Sequence, residues 1–292
     1  MRNAAHIRFG LMSLAGTADE VAADARMADD AGFDLLATAD HLRHPRDPSV
    51  PGLDGWSVLA AWAATTEGIR LAMLVSNLIY RHPVVLAKQA ITVDELSGGR
   101  LDIGVGTGVY ATDHTMAGVP EWSPRERVER LDEFVRALDA ALRGSESFDG
   151  TWYGFRDGAW APGPTQQPRP PILIGAVGPL MLRLTARLAD TWSAFGGLAL
   201  DDEASCYEAL AQQSRTLSHE CERIGRDPAS VGRSLLAFRP LTPWARVGAL
   251  ESIVDEARRI GFDELVVYKP GNDDERRVFD ESIARLPSLK AD

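Results

Sequence analysis

The chain has 292 residues, with 31 Lys and Arg against 42 Asp and Glu, a net charge of −11 and two cysteines. That length allows two ordinary domains or one α/β barrel of about 250 residues, and 45% hydrophobic with 25% charged residues excludes disorder and supports a large core. The acidic balance argues against nucleic-acid or anionic-membrane binding, which needs clustered Lys and Arg.

No run of about 18 apolar residues is present to span a bilayer, and Met1-Arg2-Asn3-Ala4-Ala5-His6 lacks the apolar stretch of a signal peptide. Cys206 and Cys221 share one helix-patterned segment. There they would lie about 22 Å apart at 1.5 Å per residue, beyond the reach of a disulfide. A soluble, cytoplasmic setting is the expectation.

His6 to Met12 reads as a strand. Thr17, with Glu20 three residues on, forms a capping box for a helix that turns Val21, Ala25 and Ala28 inward and ends near Gly32. Phe33 to Thr38 is the second strand, a polar loop runs from Asp40 to Asp54, and a helix from Trp56 to Glu67 leads into the strand Ile69 to Ser76. His82-Pro83 opens a helix with Val84, Ala87, Ile91 and Leu96 inward and Ser97-Gly98-Gly99 as its stop. Leu101 to Val105 is the fourth strand, and a loop from Val109 to Trp122 follows.

Ser123-Pro124-Arg125-Glu126 combines a capping box with proline at the first helical position. Val128, Leu131, Val135, Leu138 and Leu142 then keep helical spacing up to Gly144. Residues 145–170 break the rhythm, with a small hairpin over Phe148 to Tyr153 and a proline-rich approach from Pro162 to Pro171. Strands Ile172 to Ile174, Thr191 to Phe195, Ser234 to Phe238 and Glu264 to Tyr268 then alternate with helices. Those helices run Pro179 to Leu188, Cys206 to Ile224, Val247 to Ile260, and from an Asn272 cap to about Leu286.

Eight strands alternating with eight helices demand a parallel sheet covered by helices. Eight units in 292 residues fit a closed (β/α)8 barrel better than a doubly wound sheet. The expectation is one domain over 1–292 with an insertion between the fourth and fifth strands.

A barrel of this kind places its chemistry at the C-terminal ends of the strands. After the second strand stands Asp40-His41: an imidazole that can exchange a proton near neutral pH beside a carboxylate that biases its charge, or else a cap and an exposed histidine. Ser76 and Asn77 are polar where the third strand emerges, while Arg81 and His82 read as a solvated cap. In Gly104-Val105-Gly106-Thr107-Gly108 alternate glycines either admit a flat ligand close to the backbone or relieve crowding at a barrel corner. A dinucleotide fingerprint would open a helix at once, and here a loop intervenes.

Gly175-Ala176-Val177-Gly178 precedes a helix, so its amides either cradle a phosphate without any basic side chain or form a tight turn. Tyr110, Trp192, Trp244 and Tyr268 line a pocket or fill the core. No H-E-x-x-H, Cys/His quartet or G-x-S-x-G is present, so neither a metal site nor a serine hydrolase is expected.

Taken in order, these segments resemble the bacterial luciferase-like family of flavin- and deazaflavin-dependent oxidoreductases. The resembling stretches are Ala31-Gly32-Phe33-Asp34 to Ala39-Asp40-His41, Val75-Ser76-Asn77 through Tyr80-Arg81-His82-Pro83, and Leu96-Ser97-Gly98-Gly99-Arg100-Leu101. Gly104-Val105-Gly106-Thr107-Gly108, Pro170-Pro171-Ile172-Leu173-Ile174-Gly175 and Ala189-Asp190-Thr191-Trp192 complete the set. The match is dense from about residue 7 to 195 and thin afterwards.

The resemblance implies a flavin-like ring in the barrel mouth, with His41 facing it as proton donor, acceptor or electrostatic stabiliser and Asp40 beside it. It implies a non-proline cis peptide at Leu74-Val75 behind the ring, and Asn77 and Thr107, with Gly106 and Gly108, at the ring or its ribityl chain. Gly175, Ala176, Val177 and Gly178 would hold the phosphate. The family often has Gly where Ala176 stands, and its sugar-phosphate dehydrogenases carry Glu where Val109 follows Gly106-Thr107-Gly108, which disfavours glucose-6-phosphate as substrate.

Two enzymatic classes follow. One is F420-dependent hydride transfer to or from a small organic substrate. The other is a monooxygenase fed reduced FMN by a separate reductase. A non-catalytic flavin-binding accessory protein is the third reading, and a homodimer is expected from the resemblance.

Overall fold

Strands Leu35–Thr38 (β2) and Leu101–Gly106 (β4) carry no exposed residue, as expected of a parallel sheet covered on both faces. The structure, a computed structural model, describes residues 6–44, 47–197 and 200–291. With Arg8–Met12 (β1), Arg70–Asn77 (β3), Ile172–Gly175 (β5), Thr191–Ala194 (β6), Gly232–Ala237 (β7) and Glu264–Tyr268 (β8), the strands close in sequential order as a (β/α)8 barrel.

The chain divides into two compact units. Segments 6–13, 26–37 and 175–291 form one, in which β6, β7, β8, β1 and β2 pair in parallel in that order. Helices Pro179–Leu188 (α6) and Glu203–Arg223 (α7) belong to it, as do Ala249–Ile260 (α8), Asp273–Ile283 (α9) and Leu286–Ala291 (α10). The helix read from the Asn272 cap to about Leu286 is α9, which ends at Ile283, and a short further helix, α10, follows it. Both cysteines are free and buried on α7.

Segments 14–25 and 38–174 form the other unit. It pairs β3, β4 and β5 in parallel, with a register shift between Met73 and Ser76. Its helices include Gly55–Thr65 (α2), Pro83–Ser97 (α3), Ala111–Ala117 (α4) and Pro124–Leu142 (α5). Helix α1, Ala18–Asp30, starts where Thr17 accepts from the Glu20 amide at 3.2 Å and Glu20 reaches back to the Gly16 amide at 2.9 Å.

Three expectations are corrected here. The stretch read as a loop contains α4. Leu96, read as inward, is 49% exposed, because Leu86, Ala90, Val93 and Ser97 form the buried stripe of α3. The hairpin after α5 is wider than read: Phe148 bridges Phe155, and its turn is pinned by the Glu133 carboxylate, which accepts from the amides of Thr151, Trp152 and Tyr153 at 2.9, 2.6 and 2.6 Å. Among the described residues no helix is long and apolar enough to cross a membrane.

Candidate functional site

The larger set of candidate residues falls in the unit that carries β3 and β4, in two tiers. His41, Val75, Thr107 and Tyr110 are half-buried, whereas Asp40, Ser76, Asn77 and Asp113 are buried. The outer tier can meet a ligand; the inner tier holds it in place.

Asp40 stands just after β2, 3% exposed. Its carboxylate accepts from the Asn77 backbone N–H at 3.0 Å, from Arg81 Nη2 at 3.0 Å, and at closer range from Arg81 Nη1. Arg81, whose side chain is 11% exposed, is therefore no solvated cap: its fork grips Asp40 bidentately. His82 does cap α3, its Nδ1 accepting from the Val84 amide at 3.3 Å.

His41 lies against Tyr110, ring centroids 6.1 Å apart and edge to face. Its buried Nδ1 has no hydrogen-bond partner among the described residues. Burial pulls its pKa below 6.5, while Asp113 and then Asp40 push it back up. The net result is a neutral imidazole at neutral pH. A narrow cavity of about 20 Å³, room for a water-sized group, opens beside it against Ala15, Thr38, Arg43 and His44.

Asn77 is fixed at both ends: Oδ1 accepts from the Ile79 amide at 3.0 Å and Nδ2 donates to Asp113 Oδ2 at 2.9 Å. Tyr80 lies beside the same carboxylate, and burial and the Asp113 charge raise its phenol pKa. Ser76 faces inward and accepts from Trp56 Nε1 at 2.9 Å. Leu74-Val75 is a cis peptide, and Val75 is half-buried while the β3 residues on either side of it are buried.

The glycines of β4 serve that packing. A Cβ on Gly104 would stand 2.1 Å from the Met73 carbonyl, and one on Gly106 2.6 Å from Val75 Cγ2. Gly108, at φ +69°, would meet Ile79 Cδ1 at 2.5 Å and Asn77 Oδ1 at 2.7 Å. Relief of crowding is thus one use of this ladder. Thr107, between two such glycines, is the half-buried side chain of the turn.

In the other unit, Gly175 ends β5 and Gly178 is the N-cap of α6, with Pro179 at its first position. Ala176 is committed both ways: its amide donates to the Ser193 carbonyl at 3.2 Å and its carbonyl accepts from Trp192 Nε1 at 2.9 Å. That leaves Val177 and Gly178 to offer amides at the helix start. Gly178 is exposed, and a Cβ there would meet nothing within 4 Å. Room and a ten-residue helix dipole suit a phosphate.

Trp192 and Trp244 are core: both are buried, and Trp244 Nε1 donates to the Tyr268 carbonyl at 2.6 Å. Tyr268 packs on Phe238 at 6.0 Å and Phe238 on Phe195 at 6.3 Å. Sequence reasoning missed Asp113, Tyr80 and the pairing role of Arg81. Only the acidic residue four positions past Val109 could have signalled the first of these.

The model of the luciferase-like monooxygenase family matches residues 4–242. An uncharacterized protein of Mycobacterium tuberculosis is 35% identical over 189 residues, 59% of this chain and 66% of the relative. An F420-dependent glucose-6-phosphate dehydrogenase of Beutenbergia cavernae is 34% identical over 173 residues, 56% of this chain and 48% of the relative. The chain thus spans less than two thirds of the length of these relatives. Among solved structures, an F420-dependent secondary alcohol dehydrogenase in complex with an F420-acetone adduct superposes with a TM-score of 0.83 at 14% identity, covering 97% of this chain and 99% of the other. That likeness is one of fold.

Proposed function

The chain belongs to the luciferase-like monooxygenase family, and on that footing we propose that it is an oxidoreductase using the deazaflavin F420 to move a hydride to or from a small organic substrate. The observation that carries this reading is His41, a half-buried imidazole just after β2, packed edge to face on Tyr110 and with its pKa lowered by burial. The F420 dependence of the Beutenbergia relative supports the cofactor. Val109, 53% exposed, stands where the family's sugar-phosphate enzymes carry Glu, so the substrate is another small organic molecule.

When bound, the cofactor supplies the ring carbon that gives or takes the hydride. His41 holds or releases the matching proton. Leu74, Val75 and Thr107 form the shelf for the ring, and Asn77, with one amide N–H not taken by Asp113, reaches the ring or ribityl chain. Gly106 and Gly108 keep that shelf level, and the amides of Val177 and Gly178 hold the phosphate. Asp40 acts through its grip on the Asn77 amide. One barrel domain over 1–292 and a cytoplasmic setting belong to the same reading.

Side-by-side titration with F420 and FMN, oxidised and reduced, tests it. Tight F420 binding followed by hydride transfer in stopped flow is expected. Preference for FMN with oxygen uptake would replace it by a monooxygenase served by a separate reductase. Flavin binding with no turnover in any donor–acceptor screen would leave an accessory protein.

Gly178→Leu places a branched chain over the exposed amides, so cofactor Kd should rise at least tenfold, about 1.4 kcal/mol, with the thermal midpoint nearly unchanged. Normal binding would move the phosphate elsewhere. For the homodimer implied by the resemblance the surface we propose is the trough of about 520 Å³ between α2 and α3, where Trp56, Ala60, Val84 and Val85 stand beside Ser57, Lys88, Gln89 and Thr92. Val85 is 50% exposed. Val85→Asp should shift the sedimentation profile from dimer to monomer, and a monomeric parent chain would end the proposal.

A further inference from the structure

Two carboxylates bear on His41, and they are not equivalent. Asp40 accepts from both terminal nitrogens of Arg81 and from the Asn77 backbone amide, so a full positive charge sits against it and offsets part of its field. Asp113 is 7% exposed and stands in the first turn of α4. Asn77 Nδ2 donates to it at 2.9 Å, and its other neighbour, Tyr80, is a phenol whose pKa burial raises, so both groups are uncharged. A buried carboxylate held by neutral donors keeps its field where the dielectric is low.

The same contact settles the Asn77 amide, since only its nitrogen can face Asp113 while its oxygen accepts from Ile79. We infer that Asp113, rather than the sequence-adjacent Asp40, is the positioning residue that sets the protonation of His41 and the orientation of Asn77. Geometry places Asp113 beside the imidazole: its backbone amide donates to the Tyr110 carbonyl at 3.0 Å, and the Tyr110 ring lies edge to face on His41 with centroids 6.1 Å apart. Asp113 and then Asp40 raise the His41 pKa, and His44 opposes both. Arg43 lines the cavity beside His41, and Arg81 is paired with Asp40.

The inference rests on the proposed proton role of His41 for its use, but its test does not. In the full chain without cofactor, the His41 ring is titrated by NMR, assigned by its loss in His41→Ala. Removing the carboxylate withdraws support from the imidazolium, so Asp113→Asn should lower the His41 midpoint by about one pH unit or more. Asp113→Glu should restore it, and Asp40→Asn should move it less. An Asp40→Asn shift as large as that of Asp113→Asn overturns the inference, as does an unchanged midpoint in Asp113→Asn. Asp113→Ser is a second neutral variant, should the asparagine not fold, and is read by the same criterion. A shifted midpoint in a protein that binds no deazaflavin would sink the proposed function and leave this inference standing.

Discussion

His41→Ala should lower turnover by a factor of about 10²–10⁴, the usual contribution of a positioned acid or base, while cofactor Kd stays within roughly a factor of two, since uniform binding is not what the imidazole supplies. The argument runs from placement to charge. The residue follows β2, is half-buried, and touches Tyr110 edge to face, so it is held but reachable. Burial outweighs Asp113 and Asp40 and leaves the pKa below 6.5. The neutral ring is thus the starting form at neutral pH, suited to taking up a proton as a hydride leaves the substrate.

The sign follows. Protonation removes the base, so the rate in the direction of substrate oxidation should fall as pH drops through a midpoint below that of a free imidazole. That acidic limb should be absent from His41→Ala. A pH–rate profile of kcat/KM on the parent chain and the variant checks both statements. A variant that keeps full turnover ends the role of His41.

Much of the architecture lay open in the sequence because each strand is a short apolar run and most helices announce their ends locally. Ser123 accepts from the Glu126 amide at 3.2 Å, Asn272 from the Glu275 amide at 2.9 Å, and Gly98 closes α3 at φ +64°. Helix α4 was invisible for the converse reason: Tyr110 caps it without a side-chain bond, and Ala-Thr-Asp-His-Thr-Met-Ala has no apolar stripe. Its Asp113 matters only through a contact with Asn77, 36 positions back. The glycines at 104, 106 and 108 could be counted, but what crowds them is the Met73 carbonyl and the Val75, Ile79 and Asn77 side chains, which spacing does not reveal. Ala176 looked like a free amide until Ser193 and Trp192 came to lie against it.

Arg81 is the clearest case of a residue whose local reading misleads, and it carries the largest stability effect. Beside a proline-opened helix it looks like surface charge; its partner, Asp40, is 41 positions upstream and 3% exposed. Breaking a buried pair from one side leaves the other charge without compensation, at a cost of about 3–5 kcal/mol. Arg81→Met should therefore lower the thermal midpoint by roughly 10 °C. Arg81→Lys should recover only part of this, because a single ammonium cannot reproduce the two-point grip.

The double variant Asp40→Asn, Arg81→Met should be more stable than Arg81→Met alone, since no unpaired charge remains; such non-additivity is what contact between the two predicts. The Asn77 amide also ends on Asp40 at 3.0 Å. The single variant should consequently disturb β3 where Val75 and Asn77 present the proposed shelf, raising cofactor Kd along with the loss of stability. Equal midpoints for the parent chain and Arg81→Met would mean that the pair contributes nothing, and the inner tier would then have to be held by Asp113 and the glycine packing alone.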